Sequence, residues 1–167
     1  MRIAGLKITK PEWLSAIGNP KPVDDVKKRL RVAQQIDRAI RWAEAEAAKG
    51  PGIFRPIFTK NPLNTRQEYH TVSRTSEKAR YEAESACIAA KFPKRFPVRI
   101  TMIRYGSRKL DKGCGLNASL KPVRDGIADY MGLDDADDGY EWKYEQMPAP
   151  VRATGVRIIM EWQGYQQ

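Results

Sequence analysis

Leu116-Asn117-Ala118-Ser119-Leu120-Lys121-Pro122-Val123-Arg124-Asp125-Gly126-Ile127-Ala128-Asp129-Tyr130-Met131 carries two patterns at once. Leu116, Leu120, Val123, Ile127 and Tyr130 or Met131 recur at helical spacing, which sets them on one side of an α-helix and marks that side for burial. Pro122 then belongs in the first turn, where its missing N–H is tolerated. Away from the apolar stripe lie Lys121, Arg124, Asp125 and Asp129, with Lys121 to Asp125 and Asp125 to Asp129 each four residues apart. One face of this helix therefore presents a cation and two carboxylates.

Downstream, Gly132 leads into an acidic turn, Asp134-Asp135-Ala136-Asp137-Asp138-Gly139, and then into two runs that alternate with period two. Tyr140, Trp142, Tyr144 and Gln146 share a face of the first run, and Val156, Ile158, Met160 and Trp162 share a face of the second. The stretch between them, Met147 to Gly155, contains two prolines, so the pair reads as a hairpin with a long tip. Upstream, Val98, Ile100 and Met102 alternate with Arg99, Thr101 and Ile103 as a strand that enters a basic turn from Arg104 to Lys112. An Ala- and Glu-rich helix is predicted from about Val72 to Lys91, ahead of Phe92-Pro93. Ile53, Phe54, Ile57 and Phe58 suggest a strand that Pro56 confines to a sheet edge, and Asn61-Pro62-Leu63-Asn64 reads as a loop. The expected class is α/β, of the mixed α+β kind: a mixed sheet with packed helices.

The first fifty residues differ from the rest. A short apolar start and a Pro- and Gly-punctuated stretch from Gly18 to Pro22 precede a long helix, capped by Asp24 and ended by Lys49-Gly50-Pro51. Val26, Leu30, Ala33, Ile36, Ile40, Ala43 and Ala47 form its stripe, which packs on the core or on a second subunit. Lys27, Lys28, Arg31, Arg38 and Arg41 lie opposite, as a solvated face or as a track for a phosphate backbone. Residues 1–50 thus read as a helical extension, and residues 51–167 as the main domain.

Composition narrows the partners. A chain of 167 residues with 41% hydrophobic content supports one ordinary domain, and a second full domain is not expected. A formal charge of +10 favours a polyanionic partner, because Lys and Arg release counterions when they bind phosphates. Two cysteines without Cys-x-x-Cys spacing, Cys87 and Cys114, and one histidine, His70, argue against zinc. The apolar start is cut short by Lys10-Pro11, and no run reaches spanning length, so neither a signal peptide nor a membrane partner is expected and the predicted compartment is the cytoplasm.

The acidic residues are informative because they oppose that charge. Asp111 precedes the Leu116 helix, and Asp134 and Asp135 follow it, so if the helix packs on the sheet both flanks can approach the same end or face. Surface ion pairing is one reading. The other is a divalent-metal nuclease, in which Asp oxygens hold Mg²⁺, the cation activates water, and a lysine offsets charge on the phosphate. An EF-hand is rejected, although Asp134, Asp138, Gly139 and Glu145 sit at four of its positions: its third position is Ala136, and Tyr140 to Gln146 alternates as a strand. Lys94, Arg95, Arg99, Arg104, Arg108 and Lys109 supply the basic surface.

Leu110-Asp111, Leu116, Leu120-Lys121, Arg124-Asp125-Gly126-Ile127-Ala128-Asp129, Gly132-Leu133-Asp134-Asp135, Trp142, Tyr144 and Gln146 together resemble the RusA family of Holliday-junction endonucleases, in its phage and prophage form. Asn64, His70 and Arg74 resemble the family's looser upstream signature, and the similarity spans roughly Asn61 to Glu161. The resemblance implies a homodimer in a bacterial cytoplasm that cleaves branched DNA with Mg²⁺, or Mn²⁺ in its place. Carried over by position, Lys121, Asp125 and Asp135 match the family's residues; with Asp111 they are the expected catalytic residues, and Asp111, Asp134 and Asp135 are the expected metal ligands. Arg74 and Arg124, with Lys94, Arg95, Arg104, Arg108 and Lys109 of the basic surface, are the expected DNA contacts.

The family's Asp-x-Asp-Asn positions, counted back from Lys121, hold Lys112, Gly113, Cys114 and Gly115, and Asp111 stands one place early. Either an insertion lets Asp111 act as ligand, or a ligand is lost and the chain binds branched DNA without cutting. Cys114 suits Mg²⁺ poorly, since a soft thiolate does not match a hard cation. An RNA or acidic-protein partner is a third reading, without the aromatic motifs of an RNA-recognition module.

Overall fold

Val98–Gly106 is apolar on both faces over much of its length, and it takes the centre of the sheet. The computed structural model describes residues 26–59, 69–111 and 114–162, with side chains for 30–59, 73–111 and 115–162. In chain order the elements are α1 (Val26–Ala47), β1 (Ile53–Arg55), α2 (Tyr69–Ala90), β2 (Val98–Gly106), α3 (Cys114–Met131), β3 (Tyr140–Pro148) and β4 (Thr154–Trp162). The fold is mixed α/β. The expected cap at Asp24, the Asn61–Asn64 loop, Lys112-Gly113 and the side chains of His70 and Cys114 lie outside the described residues.

The sheet order is β1-β4-β2-β3. β2 runs parallel to β3, with Ile100 beside Trp142, and antiparallel to β4, with Ile100 beside Met160. β1 is the edge strand on β4, as Pro56 implied. The expected β3–β4 hairpin does not form, because β2 separates the two strands. Val98, Ile100 and Met102 on one face of β2, and Ile103 and Tyr105 on the other, are all buried, so both edges of this strand need partners. A parallel β2–β3 pair requires a crossover, and α3 supplies it.

α2 and α3 cover one face. Ala79, Ala83 and Cys87 of α2 and Leu116, Leu120, Val123, Ile127 and Met131 of α3 pack on Val98, Ile100, Met102, Val156, Ile158 and Met160. The two helices cross closely at Gly126, where an added Cβ would stand 2.1 Å from the Arg80 carbonyl oxygen. Beside that contact Arg80 grips Asp129 through two hydrogen bonds, of 2.5 and 2.7 Å.

α1 covers the opposite face through Ala43, which packs with Phe54, Ile103 and Tyr105. Trp42 stands edge-on to Phe54 and Tyr105 at 5.6 and 5.5 Å. Buried Arg157 holds the end of this helix: it donates to the carbonyls of Glu46, Lys49 and Pro51 and lies 3.5 Å from the Glu46 carboxylate. The buried side of α1 is therefore Ala39, Ala43 and Glu46, whereas Leu30 is 60% exposed and Ala33 and Ala47 are exposed. The predicted stripe is only partly used: the buried line runs through Ala39, Ala43 and Glu46, so of the stripe's described members Ala43 is buried and Ile36 and Ile40 are half-buried.

α3 also begins earlier than its proline suggested. Pro122 lies well inside the helix and not in its first turn. Asp111 Oδ1 accepts the Gly115 N–H at 3.1 Å, and the Asp111 carbonyl accepts that of Leu116 at 3.1 Å. This cap starts the helix ahead of the proline, which then forfeits one internal hydrogen bond.

Candidate functional site

The polar face of α3 and the acidic turn after it meet as the spacing anticipated. Lys121 Nζ lies 3.0 Å from Asp125 Oδ1 and 3.7 Å from Asp135 Oδ2. Arg124 Nη2 stands 2.5 Å from that same Asp135 oxygen, and Arg124 Nη1 donates to the Tyr144 hydroxyl at 3.3 Å. Trp142 Nε1 donates to the Asp135 carbonyl at 2.9 Å, so inward-facing residues of β3 orient both partners. Asp134 Oδ1 accepts the Ala136 N–H at 2.9 Å and shapes the turn.

Asp135 Oδ2 is hidden from solvent and, although two cations stand near it, has no aligned hydrogen bond. Burial alone would push the Asp135 carboxyl upward, but Arg124 and Lys121 outweigh it and hold the group below its ordinary value. Burial likewise works against the Arg124 guanidinium, which Tyr144, Asp135 and Asp125 raise overall.

Asp111 is not part of this group. It caps the start of α3, and the helix rise from Cys114 to Asp125 separates the two ends by about 16 Å. The sheet agrees: the Gln146 amide brackets Leu110, accepting from its N–H at 2.9 Å and donating to its carbonyl at 2.7 Å. Asp135 instead lies by Trp142, about 13 Å back along β3. Asp129 is engaged elsewhere, since the hydrogen bond from Arg80 holds its carboxyl below the usual range.

Among the described residues no three His, Cys, Asp or Glu side chains converge as a metal cage. Mg²⁺ commonly needs only one or two protein carboxylates beside substrate phosphates. Asp125 and Asp135, joined through Lys121, are the carboxylates that could make up that smaller donor set, and Asp135 Oδ2, hidden from solvent and 2.5 Å from Arg124 Nη2, would have to part from the arginine to act as a ligand. Asp111 does not join them, because its carboxylate is engaged in capping the far end of the helix.

The expected DNA contacts fall in separate places. Arg74 is exposed on α2. Lys94 and Arg95 are exposed just before β2, with Lys94 Nζ 4.7 Å from the centroid of the Tyr130 ring. Arg108 and Lys109 are exposed just after β2, roughly 26 Å from the other end of the strand. Arg124 is committed to Asp135 and Tyr144, and Arg99 pairs with Glu141 at 2.8 Å. Arg31, Arg38 and Arg41 form an exposed face of α1. Arg104, expected at the surface, is buried at 8% exposure, because the strand continues to Gly106 and turns its side chain inward.

Sequence reasoning missed three partners: Arg80 for Asp129, the Arg80 backbone for Gly126, and Gln146 for Leu110. The last had a signal, since Gln146 ends an otherwise aromatic inward row. No helix among the described residues is long and apolar enough to cross a membrane. In comparisons with known proteins, no family model, no curated protein and no solved structure matches this chain.

Proposed function

We propose that this chain is a structure-specific endonuclease of the resolvase type, acting on Holliday junctions or other branched DNA. The observation that carries the reading is Lys121 set between the carboxylates of Asp125 and Asp135, in a chain of formal charge +10. Two carboxylates would repel a phosphate backbone unless a cation stands among them. Mg²⁺ or Mn²⁺ is the proposed cofactor, with Asp125 and Asp135 as the residues that would hold it. Such an ion, when bound, polarises a phosphodiester and makes water acidic enough to act as nucleophile near neutral pH.

The chain's own residues have separate tasks in this reading. Lys121 faces the phosphate and offsets charge that develops on it. Arg124, locked by Tyr144, keeps Asp135 turned inward and ionised. The basic residues at the two ends of β2 are too far apart for one phosphate, and they suit separate backbone stretches, as the arms of a branched DNA present. A homodimer working in a bacterial cytoplasm, from a phage or prophage gene, is the setting we propose, on the motif resemblance.

A second reading has its own observations. The close Arg124–Asp135 pair and the capping role of Asp111 favour a protein that binds branched DNA without cutting it. One experiment separates the two: purified protein with a four-way junction or a matching linear duplex, with Mg²⁺, Mn²⁺ or chelator. Metal-dependent cutting that Asp135→Asn and Lys121→Ala abolish supports the nuclease. Junction-selective binding without cutting supports the second reading, and equal affinity for both DNAs at every salt concentration defeats both.

A further inference from the structure

The fold buries two arginines among its described residues, and they are treated differently. Arg157 has a carboxylate, Glu46, and three backbone carbonyls. Arg104 has Thr59 Oγ1, which accepts from Nε at 3.0 Å, and the Arg108 carbonyl, which accepts from Nη1 at 3.1 Å. Among the described residues no carboxylate pairs with it and no hydrogen bond from Nη2 is found, and Nη2 is not one of the atoms sealed from solvent. Burial pushes its guanidinium below the ordinary value, with no acidic group opposing the shift. Burying a cation without a counter-charge costs several kcal/mol, a cost that an anion at this place would offset.

The surroundings are built to receive one. Arg104 sits at the carboxyl end of β2, where the chain turns toward α3. The turn is pinned: Gly106 O accepts the Ala149 N–H at 3.1 Å, the Gln146 amide holds both backbone groups of Leu110, and Asp111 is committed to capping α3. A Cβ at Gly106 would lie 2.8 Å from Arg104 Nη2 and 2.9 Å from Nη1, so the guanidinium packs against this glycine and only glycine leaves room for it there. Arg108 and Lys109 are exposed on the same turn.

We propose that Arg104, with Arg108 and Lys109, forms an oxyanion site at the end of β2 that takes a phosphate group through the free side of the guanidinium fork. Only the identification of that group as a DNA backbone phosphate rests on the proposed function. A planar fork suits a phosphate better than a point charge does, which gives a reason for arginine at this position.

Thermal unfolding of the full chain is followed with inorganic phosphate and with chloride at equal ionic strength, for the parent, Arg104→Lys and Arg104→Met. Phosphate raises Tm of the parent, less that of the lysine variant, and not that of the methionine variant. In phosphate-free buffer Arg104→Met is at least as stable as the parent, because it removes an uncompensated charge. In DNA titrations the same variant lowers the salt slope by about 1. Equal phosphate stabilisation of parent and Arg104→Met overturns the site and leaves Arg104 as a latch between Thr59 and Arg108. If Arg104→Met does not fold, the exposed pair Arg108→Ala and Lys109→Ala must reduce the phosphate effect, and an undiminished effect overturns the proposal. A phosphate effect lost in Arg104→Met, in a protein that binds no DNA, upholds the site and defeats the DNA reading. DNA binding with an unchanged slope, and no phosphate effect, does the reverse.

Discussion

Arg124 Nη2 stands 2.5 Å from Asp135 Oδ2, a contact that joins the middle of α3 to the turn beyond its end. The two residues were expected to do different work, one on DNA and one on a metal ion. In the folded chain each holds the other.

The Arg124–Asp135 pair sets a pH dependence. Asp135 has a folded-state pKa below its ordinary 3.8, so its contribution to stability is present above that value and is lost as pH falls through the folded-state value. Asp135→Asn is therefore destabilising at pH 7, and the gap to the parent closes in acid. Urea midpoints for both proteins at pH 7 and pH 3 check this, and a constant gap would show that the ionised pair contributes nothing.

Asp111 separates a cap from a ligand. Asparagine caps a helix about as well as aspartate, whereas alanine at an N-cap costs about 1 kcal/mol. Asp111→Asn is expected to keep both stability and any metal-dependent cutting, and Asp111→Ala to lose about 1 kcal/mol by urea unfolding. Cutting abolished in a fully stable Asp111→Asn protein would return this residue to the metal site.

Gly126 and Asp129 belong to the contact between α2 and α3. A methyl group at Gly126 meets backbone and not a flexible side chain, so Gly126→Ala is expected to cost roughly 1–3 kcal/mol, by analogy with overpacked cores. Asp129→Asn removes a largely exposed ion pair and is expected to cost under about 1 kcal/mol, with junction binding unchanged. Denaturant unfolding and a junction titration read both effects, and a large loss of binding in Asp129→Asn would move it into the DNA surface.

Cys87 should be chemically silent in the folded chain. Burial among apolar side chains pushes its thiol up to about 12, so the reactive thiolate is scarce at neutral pH. Alkylation followed by peptide mass mapping is expected to modify Cys87 only in denaturant. Rapid labelling under native conditions would mean that α2 opens from the sheet.

The helices and strands were legible because each is governed by short-range geometry. The period of α3, the alternation of β2, β3 and β4, and the Pro56 edge signal depend on residues a few positions apart. The Lys121–Asp125 contact belongs to the same class, since a spacing of four brings two side chains together on any helix. Boundaries were less legible: Pro122 suggested a late start for α3, and a cap from Asp111 outweighed it.

The sequence by itself thus determined the class of fold, the inward faces of α3, β3 and β4 and the charge that favours a polyanion, all consequences of periodicity and composition. Tertiary structure alone decided that β2 separates β3 from β4, because a strand buried on both faces needs partners on both edges. It also decided that Asp125 and Asp135 meet while Asp111 stays at the far end of α3, since a continuous helix holds its two ends apart whatever the motif suggests. The burial of Arg104 has the same origin: which face of β2 its side chain occupies is local, but what covers that face is set by segments distant in the chain.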